Sequence, residues 1–390
     1  LKIFLSLGTL ALILAGSFLV SPDLQVRKVI WIVALYSLID NFATFLNFFF
    51  HARQRMEYET VSKIVRAALL VGLGFLVIFN FPSLENLSYG YLFAGFAGLI
   101  FILFFFHFKV YKLTLSFNKS VWQRYLIMSW PIALAGVFAT IYGQIDSVIM
   151  GYLQQITQTG WYNAAYRIVG GALIPMGLIS TSFYPVLSRT FRESKEKLQK
   201  VWSYQAETIT LLTFPMVVGG IILAPKIIDF IYDLSFEPSI LAFQILILMA
   251  GISSFHTPFN HALLVFNRQK TLLWTTLLGA VVNIILNLIL IPRYSLYGAA
   301  VAAVITSFFV LLLLAGLSFR FTSVKIINLK LLFNLILVAL STLTMYFVIS
   351  APGIYNLHAV FSITTGAVIY FLTFFGLKFI TRQLKLVFSI

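Results

Sequence analysis

The sequence has no cysteine. That excludes a disulfide framework, a thiolate metal site and a cysteine nucleophile, and it leaves the redox compartment unread. Charge is also scarce. Asp, Glu, Lys and Arg make up 10% of the 390 residues, against roughly 25% in a soluble domain. Most of the chain therefore has no water to face. Acids are the scarcer sign, 12 against 27 bases. No stretch alternates apolar and polar residues as the strands of a membrane barrel do. There is no P-loop or other ATP-binding motif, so no cofactor is expected. Any energy source must be an ion gradient, the membrane potential or the gradient of a substrate. No catalytic constellation stands out, and no enzyme activity is expected.

What is present is apolar: 60% of the residues, 40 of them Phe. A spanning helix needs about 20 mostly apolar residues, and lipid forces each backbone polar group to find its partner within the chain. Twelve continuous runs meet that length, at approximately 2–20, 30–50, 61–80, 89–108, 125–149, 161–186, 205–224, 238–264, 271–291, 297–317, 329–349 and 356–378. The expected fold class is an all-α polytopic membrane protein. The first run lacks the short, basic, cleavable form of a signal peptide and reads as a transmembrane helix.

Lys and Arg gather in alternate loops. One set holds Arg53, Arg55, Lys109, Lys112, Lys119, Arg189, Arg192, Lys195, Lys197, Lys200, Arg268, Lys270, Arg320 and Lys325, with Arg382 and Lys385 in the tail. The other holds Arg27, Lys28, Lys226 and Arg293. The positive-inside rule makes the first set cytoplasmic. Both chain ends are then cytoplasmic, and the expected location is the cell's inner (plasma) membrane. The net charge of +15 becomes topological charge with attraction to membrane lipids, and no nucleic-acid partner is expected.

Two of these islands resemble each other. "FFHARQR" matches "LLVFNRQK", with Arg53-Gln54 over Arg268-Gln269, an offset of 215 residues. Both lie on the cytoplasmic side with the same polarity, so the copies are parallel. Parallel duplications build transporters with a site at the repeat interface. Six helices follow the segment at 111–124 up to residue 317, and four precede it. Moving the start near residue 122 back by 215 puts the expected beginning roughly 90 residues before Leu1, room for two spans. The expected domains are an N-terminal lobe at 1–110, a cytoplasmic linker at 111–124, a C-terminal lobe at 125–320 and two further helices with a tail at 321–390.

"GQIDSVIMGYL" (143–153), "TGWYNAAYRIVGG" (159–171) and "FNRQKTLLWTTLLGAVVNIILNLILIPRYSLYGAAVAAVITS" (266–307) resemble the Wzx-like polysaccharide biosynthesis and O-antigen flippases of the MOP superfamily, relatives of MATE exporters and lipid II flippases. The resemblance implies twelve to fourteen helices in two lobes around a central cavity. It also implies transfer of an undecaprenyl-pyrophosphate-linked oligosaccharide to the outer leaflet, with other polysaccharide-assembly proteins as partners. The departure is at the front, where the family's first two helices have no counterpart.

Ionisable groups at membrane depth are costly and mark function or pairing. Asp40 lies about 15 Å from either end of its expected span; it reads as a cavity acid or as a helix–helix hydrogen bond. Asn41 follows it and falls opposite His256 under the repeat offset. Arg66, about 7 Å inside its span, either snorkels to the cytoplasmic face or contacts pyrophosphate. Asp146 and Arg167 sit at similar depth on neighbouring helices and are expected to form an ion pair, with a substrate role as the second reading. Gln144, Asn260, His261, Asn283 and Asn287 complete the polar set. Asn283 and Asn287 share a face and either bind sugar hydroxyls or join helices. The spacing of His256 and His261 is poor for a helical metal pair, so no metal is expected.

Pro131, Pro175, Pro215 and Pro258 are candidate bends. "GLGF" (72–75) and "VVGG" (217–220) are candidate close-packing sites. The mixed-charge stretch 190–205 is expected at the cytoplasmic interface. Two rivals stand beside the flippase reading: a MATE-like cation-coupled exporter, and a membrane-embedded polymerase or acyltransferase.

Overall fold

The computed structural model describes residues 2–20, 23–52, 55–109, 119–322, 329–355 and 357–387. Among them the regular structure is helical: α1 (Lys2–Val20), α2 (Leu24–Ala52), α3 (Met56–Asn80), α4 (Leu84–Lys109), α5 (Lys119–Tyr152), α6 (Ile156–Phe191), α7 (Lys195–Ile231), α8 (Pro238–Ser254), α9 (His256–Val265), α10 (Gln269–Phe321), α11 (Leu329–Ser350), α12 (Pro352–Tyr355) and α13 (Ala359–Val387). Nine helical stretches among the described residues are long and apolar enough to cross a membrane, with α8 and α9 forming one of them. The expected runs at 2–20 and 125–149 lie in α1 and α5. Those at 271–291 and 297–317 are the two arms of α10.

The arms of α10 part at Ser295, which has φ 52° and ψ −130°. Pro292, just before it, cannot donate to the helix ladder. Ser295 Oγ and Gln155 Oε1 lie 2.8 Å apart, which fixes the bend against the α5–α6 turn. The run at 238–264 also breaks, between Ser254 and His256. Pro258 falls in the first turn of α9, where a missing N–H costs nothing. The expected kink is thus a full break between two helices.

The chain forms two compact units, 1–127 and 128–390. The first holds α1 to α4 and the start of α5. Its core is Leu46 and Phe50 of α2 against Ile102 and Phe106 of α4. The second is built on α6, α7, α8 and α10, with Tyr162, Ala224, Phe243, Leu246 and Ala299 fully or almost fully buried. The last helices belong to this second unit: Tyr370 of α13 donates to the Leu211 carbonyl of α7 at 2.7 Å. Met345, Ile349 and Leu223 pack beside it. Of the expected linker 111–124, residues 111–118 lie outside the described residues and 119–124 are the first turns of α5. The Arg53-Gln54 island also lies outside them. Its counterpart is a tight turn in which Asn267 takes φ 55°, a conformation Asn tolerates, and Arg268 lies over the Phe321 ring at 4.7 Å.

Many large apolar side chains point outward, Phe79 and Leu12 among them. A chain whose spans face lipid has no reason to bury them. Polar groups concentrate at helix ends. Ser194 caps α7 by accepting from the Lys197 amide at 3.1 Å. Hydrogen bonding from the Lys197 ammonium, aided by Arg189, holds the Glu193 carboxyl below its ordinary range.

Candidate functional site

In the first unit, the charged pair comes from adjacent antiparallel helices. Arg66 of α3 donates through Nη2 to the Asp40 carboxylate of α2. Nη2 also reaches the Asp40 carbonyl oxygen at 3.3 Å, and Nη1 reaches Thr44 Oγ1 at 3.4 Å. Asp40 and Thr44 are one turn apart and share a face of α2. Because α3 begins at Met56, Arg66 lies about 15 Å along the helix, past the charged first turns. Its guanidinium turns sideways to α2 instead of snorkelling to the cytoplasmic face, because a carboxylate is within reach.

Two glycines of α4 make room for this arrangement. A Cβ at Gly98 would lie 2.8 Å from Arg66 Cγ, and one at Gly95 would lie 2.9 Å from the Tyr36 ring. On another face of α2, a mainly apolar cavity of about 300 Å³ lies against α1; Lys2, Ser6, Thr9, Ser37 and Asn41 are its polar residues, and neither Asp40 nor Arg66 lines it. Asn41 Nδ2 donates back to the Ser37 carbonyl at 2.8 Å and the residue is otherwise exposed.

In the second unit, Asp146 does not pair with Arg167. Asp146 is 3% exposed. Its carboxylate accepts from the Tyr162 hydroxyl of α6 and from Asn287 Nδ2 of α10 at 2.9 Å. Helix phase explains the difference. Tyr162, Ala165 and Val169 form the buried stripe of α6, and Arg167 falls outside it, exposed. Among the described residues Arg167 joins no ion pair. Depth placed the two charges together, but rotation about the α6 axis separates them.

The Asp146 network continues along α10. Asn287 Nδ2 also lies 3.0 Å from Asn283 Oδ1. Asn283 Nδ2 lies 3.4 Å from Thr306 Oγ1, and Thr306 donates to the Ala302 carbonyl at 2.7 Å. Asn287 Oδ1 is buried with no partner among the described residues. The cluster is rich in hard oxygen acceptors around one buried carboxylate that has no basic partner among the described residues. Such a charge is costly in lipid. A proton or a small cation with a preference for oxygen ligands would neutralise it.

Next to this network, Tyr142, one turn before Asp146 on α5, lines a cavity of about 360 Å³ together with His256, Asn260, Thr275 and Thr276. His256 Nε2 lies 2.9 Å from the Ser307 carbonyl. His261 turns instead to Gln205 Nε2, 2.8 Å from its Nδ1, so the two histidines serve different helices. Gln144 is exposed and joins neither group.

The sequence profile described as "Polysaccharide biosynthesis protein" matches residues 1–191. Over those residues, just under half of the chain, it is similar to the polysaccharide biosynthesis protein family. Among relatives, the Haloferax volcanii protein named "Probable low-salt glycan biosynthesis flippase Agl15" is 26% identical over 255 residues, 62% of this chain and 51% of that protein. The match therefore spans about half of that relative's length. Among solved structures, the lipid II flippase MurJ in an inward closed conformation aligns with 98% of this chain and 83% of its own, at TM-score 0.74 and 16% identity. An inward-facing MATE family transporter aligns over 82% and 77%, at TM-score 0.69 and 14% identity. These likenesses show a shared fold.

The structure thus joins Asp40 to Arg66, and Asp146 to Asn287 and through it to Asn283. It puts Asn41 on one cavity and His256 with Asn260 on another, and leaves Gln144 and Arg167 apart. Sequence reasoning missed Tyr162, Thr306 and Tyr142. Two signals were present: Tyr142 lies four residues before Asp146, and Thr306 follows a run of small residues at 298–303 that lets α10 approach its neighbours.

Proposed function

We propose that the protein moves undecaprenyl-pyrophosphate-linked oligosaccharide repeat units from the cytoplasmic to the outer leaflet by alternating access, for cell-surface polysaccharide assembly. The observation that carries this reading is Arg66, a permanently charged guanidinium held within an apolar helix and paired with the partly exposed carboxylate of Asp40. Such a residue is expensive in lipid, and its planar donor fork suits phosphate. The neutral donors and acceptors of His256, Asn260 and Tyr142 suit sugar hydroxyls, with Asn41, Gln144 and Arg167 as further contacts. Asp146 and Asn283 are the proposed coupling group, exchanging a proton or cation as the transporter turns over. The similarity to Agl15 and the fold shared with MurJ support the reading. The proposed layout has twelve spans and both chain ends cytoplasmic. Membrane lipids and polysaccharide-assembly proteins are the proposed partners. No bond is made or broken.

A cation-coupled small-molecule exporter is the second reading. It is favoured by the fold shared with a MATE transporter and by the unneutralised carboxylate of Asp146. Leaflet accessibility of a labelled polyprenyl-linked glycan, in vesicles holding the full-length protein, separates the two. Unmodified label reaching the opposite leaflet supports the flippase. Drug efflux without glycan movement supports the exporter, and conversion of the label into polymer supports an enzyme.

A further inference from the structure

The partners of Arg66 differ in what holds them. The Arg66 side chain is 16% exposed and that of Asp40 is 40% exposed. The guanidinium is anchored to α2 by two groups other than the carboxylate, the Asp40 carbonyl oxygen and Thr44 Oγ1. Its stem is enclosed at Gly98. The carboxylate is thus the outer and replaceable partner of a fixed cation. A guanidinium fork accepts carboxylate and phosphate oxygens in the same bidentate geometry.

We infer that Asp40 is a built-in placeholder for a diphosphate: it occupies Arg66 in the empty protein and yields it when a diphosphate group reaches the exposed side of the carboxylate. The inference rests on the flippase reading for its ligand class and adds a self-competing anion site to it. Exchange has a physical purpose. Arg66 never stands unpaired at membrane depth, where a lone charge is costly, and Asp40 lowers affinity enough for the diphosphate to leave again. The pairs Arg55–Glu57, Lys63–Glu59 and those of Glu193 lie at helix ends instead.

The test is diphosphate binding by the purified full-length protein, with inorganic pyrophosphate and a short-chain prenyl diphosphate as separate probes. If the placeholder holds Arg66 in about nine molecules of ten, removing it tightens apparent affinity about tenfold. Asp40→Asn is therefore expected to bind more tightly than wild type and Arg66→Gln more weakly. Asp40→Asn in the Arg66→Gln background is expected to change nothing. Should the amide variant not fold, Asp40→Ser removes the same charge. Tightening with both probes assigns the site to the diphosphate itself. Tightening with the prenyl probe alone assigns it to the lipid-linked form. Unchanged or weaker binding in a folded Asp40 variant overturns the inference. Glycan transfer by wild type without that tightening would leave the flippase reading standing and the placeholder refuted. Tightening without transfer would do the reverse.

Discussion

Asp40 and Arg66 show what a single residue reveals and what it hides. Each is legible in the sequence as an ionisable group in an apolar run, and its cost in lipid makes it conspicuous. Their partnership is not legible, because it depends on the rotation of α2 against α3, which no residue type encodes. Asp146 makes the same point more sharply. Depth suggested Arg167, whereas the phase of α6 selects Tyr162. Removing the Tyr162 hydroxyl leaves a buried carboxylate one donor short, so Tyr162→Phe is expected to destabilise by about 1–3 kcal/mol, read as a lower melting temperature in detergent. Asp146→Asn removes the charge and keeps one oxygen to accept from Asn287, while its amide N–H can donate to the Tyr162 hydroxyl, which turns to accept. It is expected to fold and to lose the dependence of transport on an imposed proton or cation gradient. Retention of that dependence would show that coupling lies elsewhere.

At the level of helices, the apolar runs were readable, and so was Pro258; α5, α6 and α7 continue through Pro131, Pro175 and Pro215, and the glycines were not readable. Pro258 marked the break between α8 and α9. The glycines of "GLGF" were expected at a close helix contact, yet a Cβ at Gly72 would meet nothing within 4 Å, and Gly74 has only an ordinary contact with Tyr91. The tight positions on this side are Gly95 and Gly98 of α4. In "VVGG", Gly220 does lie against Ile247, at 3.0 Å. A glycine's neighbours are set by the opposing helix, so its own sequence window says little.

Gly98→Val is accordingly expected to displace the Arg66 stem and destabilise by about 1–3 kcal/mol. Gly72→Ala is expected to be neutral or to stabilise slightly. Thermal melts of the two variants side by side check this. The bend of α10 gives another test. Ser295 holds a left-handed backbone that costs a non-glycine residue about 1–2 kcal/mol. Ser295→Val is expected to destabilise and Ser295→Gly to be nearly neutral in the same assay.

For the whole molecule, composition alone announced a helical membrane protein, and the alternation of Lys and Arg suggested its orientation. The sequence placed the division at 111–124, and the compact units part between residues 127 and 128, within α5. Orientation can be measured directly, since the chain has no cysteine to remove. In intact cells, a membrane-impermeant thiol reagent is expected to label Asp233→Cys, in the α7–α8 turn, and to spare Glu193→Cys until the membrane is opened. The reverse pattern would invert the topology.

The account as a whole depends on a cation at membrane depth that handles a phosphate-bearing lipid. The most direct measurement is the rate at which vesicles holding wild-type protein, Arg66→Lys or Arg66→Gln transfer a labelled polyprenyl-diphosphate glycan between leaflets. Loss of a charge-assisted contact predicts transfer slowed about tenfold or more in Arg66→Gln and less in Arg66→Lys, which keeps the charge without the fork. Transfer by Arg66→Gln at the wild-type rate would contradict it.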